Sequence, residues 1–153
     1  MLHRTLAWMM GEPSSYGQCT ARRQPGTGIE RLRSFLRRYA EINMGDFGRC
    51  VIRTGEEALS EESRQRFRAL KKQIDRAMRK LIEEGIADGS VAPVDPKLLA
   101  FTLAGALNWP ARWYDVTGTQ NAEDLAREMV DVLTNGFAPR TATGASETNL
   151  AAK

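Results

Sequence analysis

The order of apolar and polar positions along the chain predicts an all-α protein. Apolar residues recur every three or four positions, and this spacing places them on one side of a helix. Glycine, proline and small polar residues separate the periodic segments. The predicted helices cover residues 29–43, 47–53, 60–85, 96–115 and 121–137, the second of which is short enough to be a turn. We therefore expect an antiparallel helical bundle of about five helices.

Local signals mark the ends of these helices. Ser60, Asp95 and Asn121 precede three of the segments. Their side-chain oxygens suit an N-cap because they accept hydrogen bonds from the first free backbone N–H groups of a helix. Gly89 suits the left-handed position that follows a helix. Pro110 removes a backbone donor inside its segment, so we expect that helix to bend just before the proline.

Residues 96–115 are apolar on two opposite sides of the predicted helix. Trp109 and Trp113 fall on one side, and Leu103 and Leu107 fall nearly opposite. A soluble helix that is apolar on two sides must be covered on two sides, and a chain this short has few other helices to do so. We therefore predict that this segment is both a core helix and a dimer helix. A plain core helix in a monomer is the alternative.

Basic residues concentrate on two of the predicted helices. Arg31, Arg33, Arg37 and Arg38 lie away from the apolar face of the first long helix, and we interpret them as a solvated surface. The segment 60–85 carries eight further basic residues, with Glu62 and Asp75 placed to pair with Arg66 and Arg79 at the next turn. No aromatic residue interleaves the basic positions of that segment. A solvated face is therefore favoured there over a nucleic-acid surface.

Composition excludes several classes of function. The 153 residues are 42% hydrophobic with a formal net charge of +3, and the longest apolar run is too short and too interrupted to cross a membrane. Cys19 and Cys50 lie far apart and His3 is the single histidine, so zinc binding and Cys-His catalysis are not expected. We predict a cytoplasmic protein that is not an enzyme and that uses no cofactor and no metal.

Two local strings resemble a known family. The first covers residues 105–109 and 112–114, and the second covers residues 84–90 followed by Asp95 and Pro96. Together with the order of the helices, they resemble the C-terminal effector-binding and dimerisation domain of TetR-family (tetracycline-repressor-like) transcriptional regulators. The resemblance implies that the last two helices of each subunit form a four-helix bundle in a homodimer. It also implies a small apolar or aromatic effector held inside the subunit.

The resemblance also sets the expected domain organisation. Residues 29–138 are expected to form the effector-binding and dimerisation domain, and residues 139–153 a disordered tail. Residues 1–28 show no helical period and are interpreted as an irregular leader without the helix-turn-helix head of the family. We therefore expect a truncated regulator domain that reaches DNA only through a head absent from this chain and that has no membrane contact. An alternative is an interaction protein that heterodimerises with a full-length relative and blocks its DNA binding. A third is a DNA-binding protein that uses the leader and the basic helix faces.

Candidate site residues follow from the apolar positions of the predicted helices and from this resemblance. The predicted effector-binding residues are Phe35, Tyr39, Phe47, Cys50, Ile74, Met78, Phe101, Thr102 and Asn108. Tyr39, Thr102 and Asn108 are the polar members of this set. The predicted dimer-interface residues are Leu103, Leu107, Trp109, Trp113, Leu125, Met129, Val132 and Leu133. The alternative for each residue is tight packing in a closed core.

Overall fold

The computed structural model describes residues 26–54 and 59–136. These residues form helices throughout, with no strand in the described ranges, so the prediction of an all-α protein is confirmed. The helices are α1 (Gly28–Met44), α2 (Asp46–Thr54), α3 (Glu61–Ala87), α4 (Pro96–Asn108), α5 (Pro110–Trp113) and α6 (Ala122–Asn135). Most of the predicted leader and the whole of the predicted tail lie outside the described residues.

Helix α1 occupies the centre of the bundle, where it contacts every other helix. Its buried face carries Leu32, Leu36 and Ala40 at the spacing that the sequence predicts. The other helices complete one hydrophobic core around these side chains, with Met78 and Ile82 from α3, Leu103 and Leu107 from α4, and Ala126 and Val130 from α6. The arrangement leaves the outer sides of α3, α4 and α6 open to solvent.

The helix ends follow the predicted caps. Ser60 accepts a hydrogen bond from the Ser63 N–H at 3.3 Å, Asp95 from the Lys97 N–H at 2.8 Å, and Asn121 from the Asp124 N–H at 2.8 Å. Gly89 has a φ of 76°, the left-handed conformation expected after α3. These ends were predicted correctly because each depends on a side chain that is close in sequence.

Pro110 separates α4 from α5 within the apolar segment 96–115. Helix α4 ends at Asn108, and α5 begins at Pro110. Trp109, between them, keeps a helical backbone conformation, with φ of −60° and ψ of −39°. Helix α4 thus ends just before Pro110, where the sequence predicts a bend, because a proline nitrogen cannot donate the hydrogen bond that would continue α4.

Arginines on α2 bind the free carbonyl groups of α5. Arg53 Nε donates to the Ala111 carbonyl at 2.9 Å, and its Nη2 donates to the Arg112 carbonyl at 3.0 Å. Arg49 Nη1 donates to the Tyr114 carbonyl at 3.1 Å. A four-residue helix leaves most of its carbonyl groups without partners inside the helix. The two arginines satisfy two of these groups and the carbonyl of the next residue, Tyr114, and thereby fix the turn that carries Trp113.

Arg38 is exposed as predicted, but the other three arginines of α1 contact neighbouring helices. Arg33 donates to Thr134 Oγ1 at 3.0 Å, and Arg37 donates to Asp131 Oδ1 at 3.2 Å, so both contact α6. Arg31 pairs with Glu84 of α3 at 3.0 Å. Because α1 is central, its polar side also meets neighbouring helices, and the long arginine side chains reach across to them.

The loop after α3 caps the start of α1. The Gly28 N–H donates to Asp88 Oδ2 at 2.5 Å, and the Ile29 N–H donates to Ser90 Oγ at 2.9 Å. Gly28 also lies against Gly85, so close that a Cβ at residue 28 would be 2.3 Å from the Gly85 Cα. The capping bonds and the glycine contact together hold the N-terminal end of α1 to the C-terminal end of α3.

The Asp88 cap predicts a pH-dependent contribution to stability. Hydrogen bonds from Ser90 and from the Gly28 backbone hold the pKa of Asp88 below its usual 3.8. A carboxyl group with a lowered folded-state pKa stabilises the fold above its unfolded-state pKa and loses that contribution as the pH falls through the folded value. We expect Asp88→Asn to lower the melting temperature at neutral pH, and we expect this difference from wild type to shrink below pH 3.8.

Thermal unfolding monitored by circular dichroism across this pH range measures the effect. Glu83→Gln is the matched control, since Glu83 is an exposed carboxylate near the end of α3 for which the structure shows no hydrogen bond. An Asp88→Asn difference that stays constant from neutral to acid pH would show that the charge of Asp88 does not contribute.

Candidate functional site

A cluster of three polar side chains joins α1 to the end of α4 inside the apolar core. Tyr39 Oη donates to Asn108 Oδ1 at 2.7 Å, and Asn43 Nδ2 donates to the same oxygen at 2.8 Å. Asn43 Nδ2 also lies 3.5 Å from the Leu107 carbonyl oxygen. Asn43 is only 4% exposed, and it is the one polar residue classed as buried among the described residues. Buried polar groups that bond to one another in an apolar core can exchange those bonds for bonds to a ligand.

The interior polar cluster, defined as Tyr39, Asn43 and Asn108, carries no formal charge. Burial raises the pKa of Tyr39 above its usual 10.0. The phenol is therefore protonated at neutral pH and donates its hydrogen to Asn108. The ring of Phe35 stacks beside that of Tyr39, with centroids 6.4 Å apart and planes 5° apart. The cluster thus offers neutral donors and acceptors beside aromatic surface.

Several of the predicted effector-binding residues lie in this interior. Met78 is 1% exposed, and Phe35 and Tyr39 are half-buried and pack against the core. Ile74 and Asn108 are also half-buried. The structure brings Phe35, Tyr39 and Asn108 into one place and adds Asn43, which the sequence analysis missed. The signal for Asn43 was available, because it continues the buried face of Leu36 and Ala40 at helical spacing.

Other predicted effector-binding residues do not face the interior. Phe101 and Thr102 are exposed on α4, because Ala100 and Leu103 occupy the inward side of that helix. The Thr102 hydroxyl donates to the Leu98 carbonyl of its own helix at 2.9 Å. Cys50 is exposed on α2. We therefore remove these three residues from the interior set. The Phe47 side chain is outside what the structure describes.

A second candidate site is the outer side of α4 and α5, which is apolar and exposed. Leu98, Phe101, Gly105, Trp109 and Trp113 follow one another at intervals of three or four residues and so share a face. Trp109 is 62% exposed and Trp113 is 51% exposed. We call these five residues the tryptophan stripe. Soluble monomers rarely expose a contiguous apolar surface of this kind without a binding function.

Helix α6, which contacts α4, also carries exposed apolar surface. Val132 is 54% exposed, and Met129 and Leu133 are half-buried on the same helix. At Gly105, in the middle of the stripe, an added Cβ would meet no atom within 4 Å, so the backbone of α4 is open to close approach from outside. Large aromatic side chains around a glycine form a surface that a second helix can pack against.

The structure corrects part of the predicted interface. Leu103 is 3% exposed and Leu107 is 0% exposed, because both pack inside the subunit against α1. Leu125 is buried at 8%. Side chains without exposed surface cannot contact a partner, so we no longer assign Leu103 and Leu107 to an interface. Trp109, Trp113 and Val132 lie on the exposed side, and Leu98 and Phe101 join them there.

Other kinds of site find no support in the described ranges. In residues 26–54 and 59–136, no three His, Cys, Asp or Glu side chains come together as a metal site requires. The same part of the chain contains no helix long and apolar enough to span a membrane.

Comparison with solved structures supports the fold and its family. The chain superposes on a TetR/AcrR-family transcriptional regulator from Thermobifida fusca YX-ER1 with a TM-score of 0.66 and 27% identity, covering 76% of this chain and 62% of that chain. For AibR in complex with isovaleryl coenzyme A and operator DNA, the TM-score is 0.60 and the identity 28%, covering 73% and 62%. The chain therefore spans less than two thirds of the length of these two regulators.

A third structure shows the same fold at lower identity. The TetR-family transcriptional regulator PfmR from Thermus thermophilus gives a TM-score of 0.72 at 22% identity, covering 88% of this chain and 74% of that chain. A search of curated proteins finds no match. The family model described as "Tetracyclin repressor-like, C-terminal domain" matches residues 25–137, which is most of the chain. The chain therefore belongs to the tetracycline-repressor-like (TetR) family of transcriptional regulators, and residues 25–137 are its C-terminal domain.

Proposed function

We propose that residues 25–137 form the effector-binding and homodimerisation domain of a transcriptional regulator. The observation that carries the proposal is the position of two adjacent residues, Asn108 and Trp109. Asn108 belongs to the interior polar cluster, and Trp109 is 62% exposed in the tryptophan stripe. Because these residues are adjacent, a movement of Asn108 at the interior site would also move Trp109 on the surface that would contact a second subunit. The function proposed for residues 25–137 does not include sequence-specific recognition of DNA.

The tryptophan stripe supports homodimerisation. A two-fold axis beside α4 would bring the stripe of one subunit against the stripe of another, with α6 on either side. Such pairing would bury two large indole rings from each subunit, and residues of this type dominate the energies of interfaces. Two helices from each subunit would then form a four-helix bundle.

The interior polar cluster supports effector binding. The related regulator AibR forms a complex with isovaleryl coenzyme A and operator DNA, so one protein of similar fold binds an acyl compound. In the present chain, the cluster offers a neutral phenol and two amides beside the Phe35 ring. These groups suit a small apolar or aromatic effector that carries an uncharged hydrogen-bonding group. A charged group at this position would lose its hydration without gaining an opposite charge.

Hydrogen bonds at the α4–α5 turn would transmit effector binding to the surface. Tyr39 and Asn43 hold Asn108 from inside the subunit. Arg53 holds the carbonyl groups of Ala111 and Arg112 from α2. An effector that takes over the Tyr39–Asn108 bond would release one of these attachments and shift the turn that carries Trp109. This coupling requires only that the effector bind with different affinity to the turn with the Tyr39–Asn108 bond and to the shifted turn without it.

The effector proposal predicts a specific effect of Tyr39→Phe. The probes are isovaleryl coenzyme A and a set of small neutral aliphatic and aromatic compounds, each tested for its ability to raise the melting temperature. For any compound that stabilises wild type, we expect Tyr39→Phe to weaken binding about tenfold, since one buried hydrogen bond contributes roughly 1 kcal/mol or more. Titration calorimetry on both proteins measures the difference.

Tyr114→Phe is the matched control. Tyr114 is also buried, but its hydroxyl donates to the Gln120 carbonyl at 3.4 Å, away from the interior polar cluster. Binding is expected to be unchanged in this variant. Equal losses in the two variants, or no loss in either, would contradict the assignment of the cluster as the effector site.

Heterodimerisation with a full-length relative is the competing function, since the same stripe would serve both kinds of pairing. Co-expression of differently tagged copies of this chain and of such a relative separates the two. Recovery of homodimers alone supports the proposal, whereas preferential recovery of mixed dimers contradicts it.

A further inference from the structure

The positive charge of the chain is concentrated on one part of α3. Residues 63–82 contain eight lysines and arginines and a single acid, Asp75, which gives a formal charge of +7. The whole chain has 22 basic and 19 acidic residues, so the other residues carry 14 basic and 18 acidic side chains, a formal charge of −4. A balanced solvated surface has both signs interspersed, and this chain separates them.

Five of these basic residues form a continuous row along the helix. The row is Arg64, Arg68, Lys72, Arg76 and Lys80, which we call the basic ridge. Residues four apart lie along one inclined ridge of a helix. The row is about 24 Å long at a rise of about 1.5 Å per residue. Like charges at this spacing repel one another and destabilise an isolated helix, so the pattern is costly without an anionic partner.

The structure leaves the C-terminal three residues of the basic ridge open. The residues that α3 buries are Leu70, Met78, Ile82 and Gly85, on the side that faces the bundle. Lys72, Arg76 and Lys80 are exposed, and none of the three forms an ion pair in the part of the chain that the structure describes. Asp75, the single acid within the span of the row, pairs with Arg79 at 2.7 Å, whereas Arg64 at the N-terminal end of the row pairs with Glu61 at 3.0 Å.

The surroundings of the basic ridge favour a duplex nucleic acid over other anionic partners. The described residues of α3 include no exposed large apolar side chain, so the helix has nothing to insert into a bilayer. Its aromatic residue, Phe67, is half-buried beneath the Lys71 ammonium group, 4.9 Å from the ring centroid, and offers no stacking platform for unpaired bases. Five of the eight basic residues are arginines, which bind phosphate oxygens in pairs.

We propose that the basic ridge contacts the phosphate backbone of duplex DNA without reading its sequence. The three exposed cations span about 12 Å at a rise of about 1.5 Å per residue, which corresponds to roughly three to four base pairs at about 3.4 Å each. This inference does not depend on the effector site or on homodimerisation, although a dimer would carry two such ridges. It departs from the solvated face that the sequence pattern favours, because the separation of charge and the exposure of the three C-terminal cations of the ridge point to a partner.

Fluorescence anisotropy with a labelled duplex of random sequence tests the proposal on the full chain. We expect binding at low salt whose logarithmic affinity falls steeply with the logarithm of the salt concentration. The triple variant Lys72→Gln, Arg76→Gln, Lys80→Gln is expected to weaken binding at least tenfold and to reduce the salt slope by about 3, since each lost phosphate contact removes about 0.9. Circular dichroism checks that the variant is folded.

A second triple variant controls for net charge. Arg38→Gln, Lys97→Gln and Arg127→Gln remove three exposed cations from other helices, and we expect them to change the affinity less than twofold. Equal weakening by the two triple variants would overturn the proposal, and so would the absence of salt-dependent binding by wild type. Displacement of the duplex by polyglutamate at equal charge would also overturn the proposal and assign the ridge to an acidic protein. Tighter binding to phosphatidylglycerol vesicles than to the duplex would overturn it and assign the ridge to a membrane surface.

Discussion

Replacing Trp109 with glutamate is expected to convert the dimer into folded monomers. Trp109 is 62% exposed in the subunit, so the subunit does not need its indole ring in order to fold. In the proposed dimer, the same position lies within the paired stripes, where a carboxylate would be buried without a partner. Loss of a central aromatic contact together with an unpaired charge is expected to cost about 4 kcal/mol or more, roughly a thousandfold in the dimer dissociation constant.

Neighbouring residues give the controls for this variant. Val94→Glu changes an exposed apolar residue in the loop before α4, outside the stripe, and should leave the dimer intact. Leu107→Ala should instead lower the stability of the subunit, because Leu107 is fully buried and a leucine-to-alanine change in a core costs about 2–5 kcal/mol. Analytical ultracentrifugation and thermal unfolding separate these effects. A Trp109→Glu protein that remains dimeric would contradict the placement of the interface.

Replacing Gly28 with alanine is expected to destabilise the subunit strongly. The added Cβ would lie 2.3 Å from the Gly85 Cα and 2.4 Å from the Gly85 nitrogen, and both are backbone atoms that cannot rotate away. Helices α1 and α3 must separate at this end, which would also stretch the bond from the Gly28 N–H to Asp88. We expect the free energy of unfolding to fall by about 3 kcal/mol or more, at the upper end of the usual cost of overpacking.

Gly105→Ala is the matched control, because an added Cβ at Gly105 meets no atom within 4 Å. Alanine is the better helix former, so this change should raise the free energy of unfolding by about 0.5–1 kcal/mol. Both glycine variants are best compared in the Trp109→Glu background, in which subunit pairing does not contribute. Similar stabilities for the two variants in urea unfolding would contradict the close contact between α1 and α3.

The helices and their ends were predictable because their signals are local. Asp95 bonds to backbone groups two and three residues ahead, and Pro110 interrupts its own helix. Contacts between distant residues were not predictable in this way. Arg33 and Arg37 look like solvated residues in the sequence, but their partners on α6 are about a hundred positions away. The burial of α1 between other helices decides their role, and periodicity carries no information about it.

The candidate sites were predicted in part. Helical spacing placed Trp109 opposite Leu107, and the structure agrees with this. Spacing does not say which of two apolar sides faces the core, and the prediction assigned residues from both sides to the interface. The core takes the leucine side because branched aliphatic side chains fit the narrow space against α1, and the indole rings remain outside. Phe101 was misplaced for the same reason.

Sedimentation equilibrium of the wild-type chain over the micromolar range tests the central claim most directly, namely that the exposed tryptophan stripe pairs two copies of this domain. The account predicts a folded species with twice the chain mass of 17.0 kDa. A stable, helical species of 17.0 kDa at high micromolar concentration would contradict it, because the tryptophan stripe would then remain exposed to water without a partner.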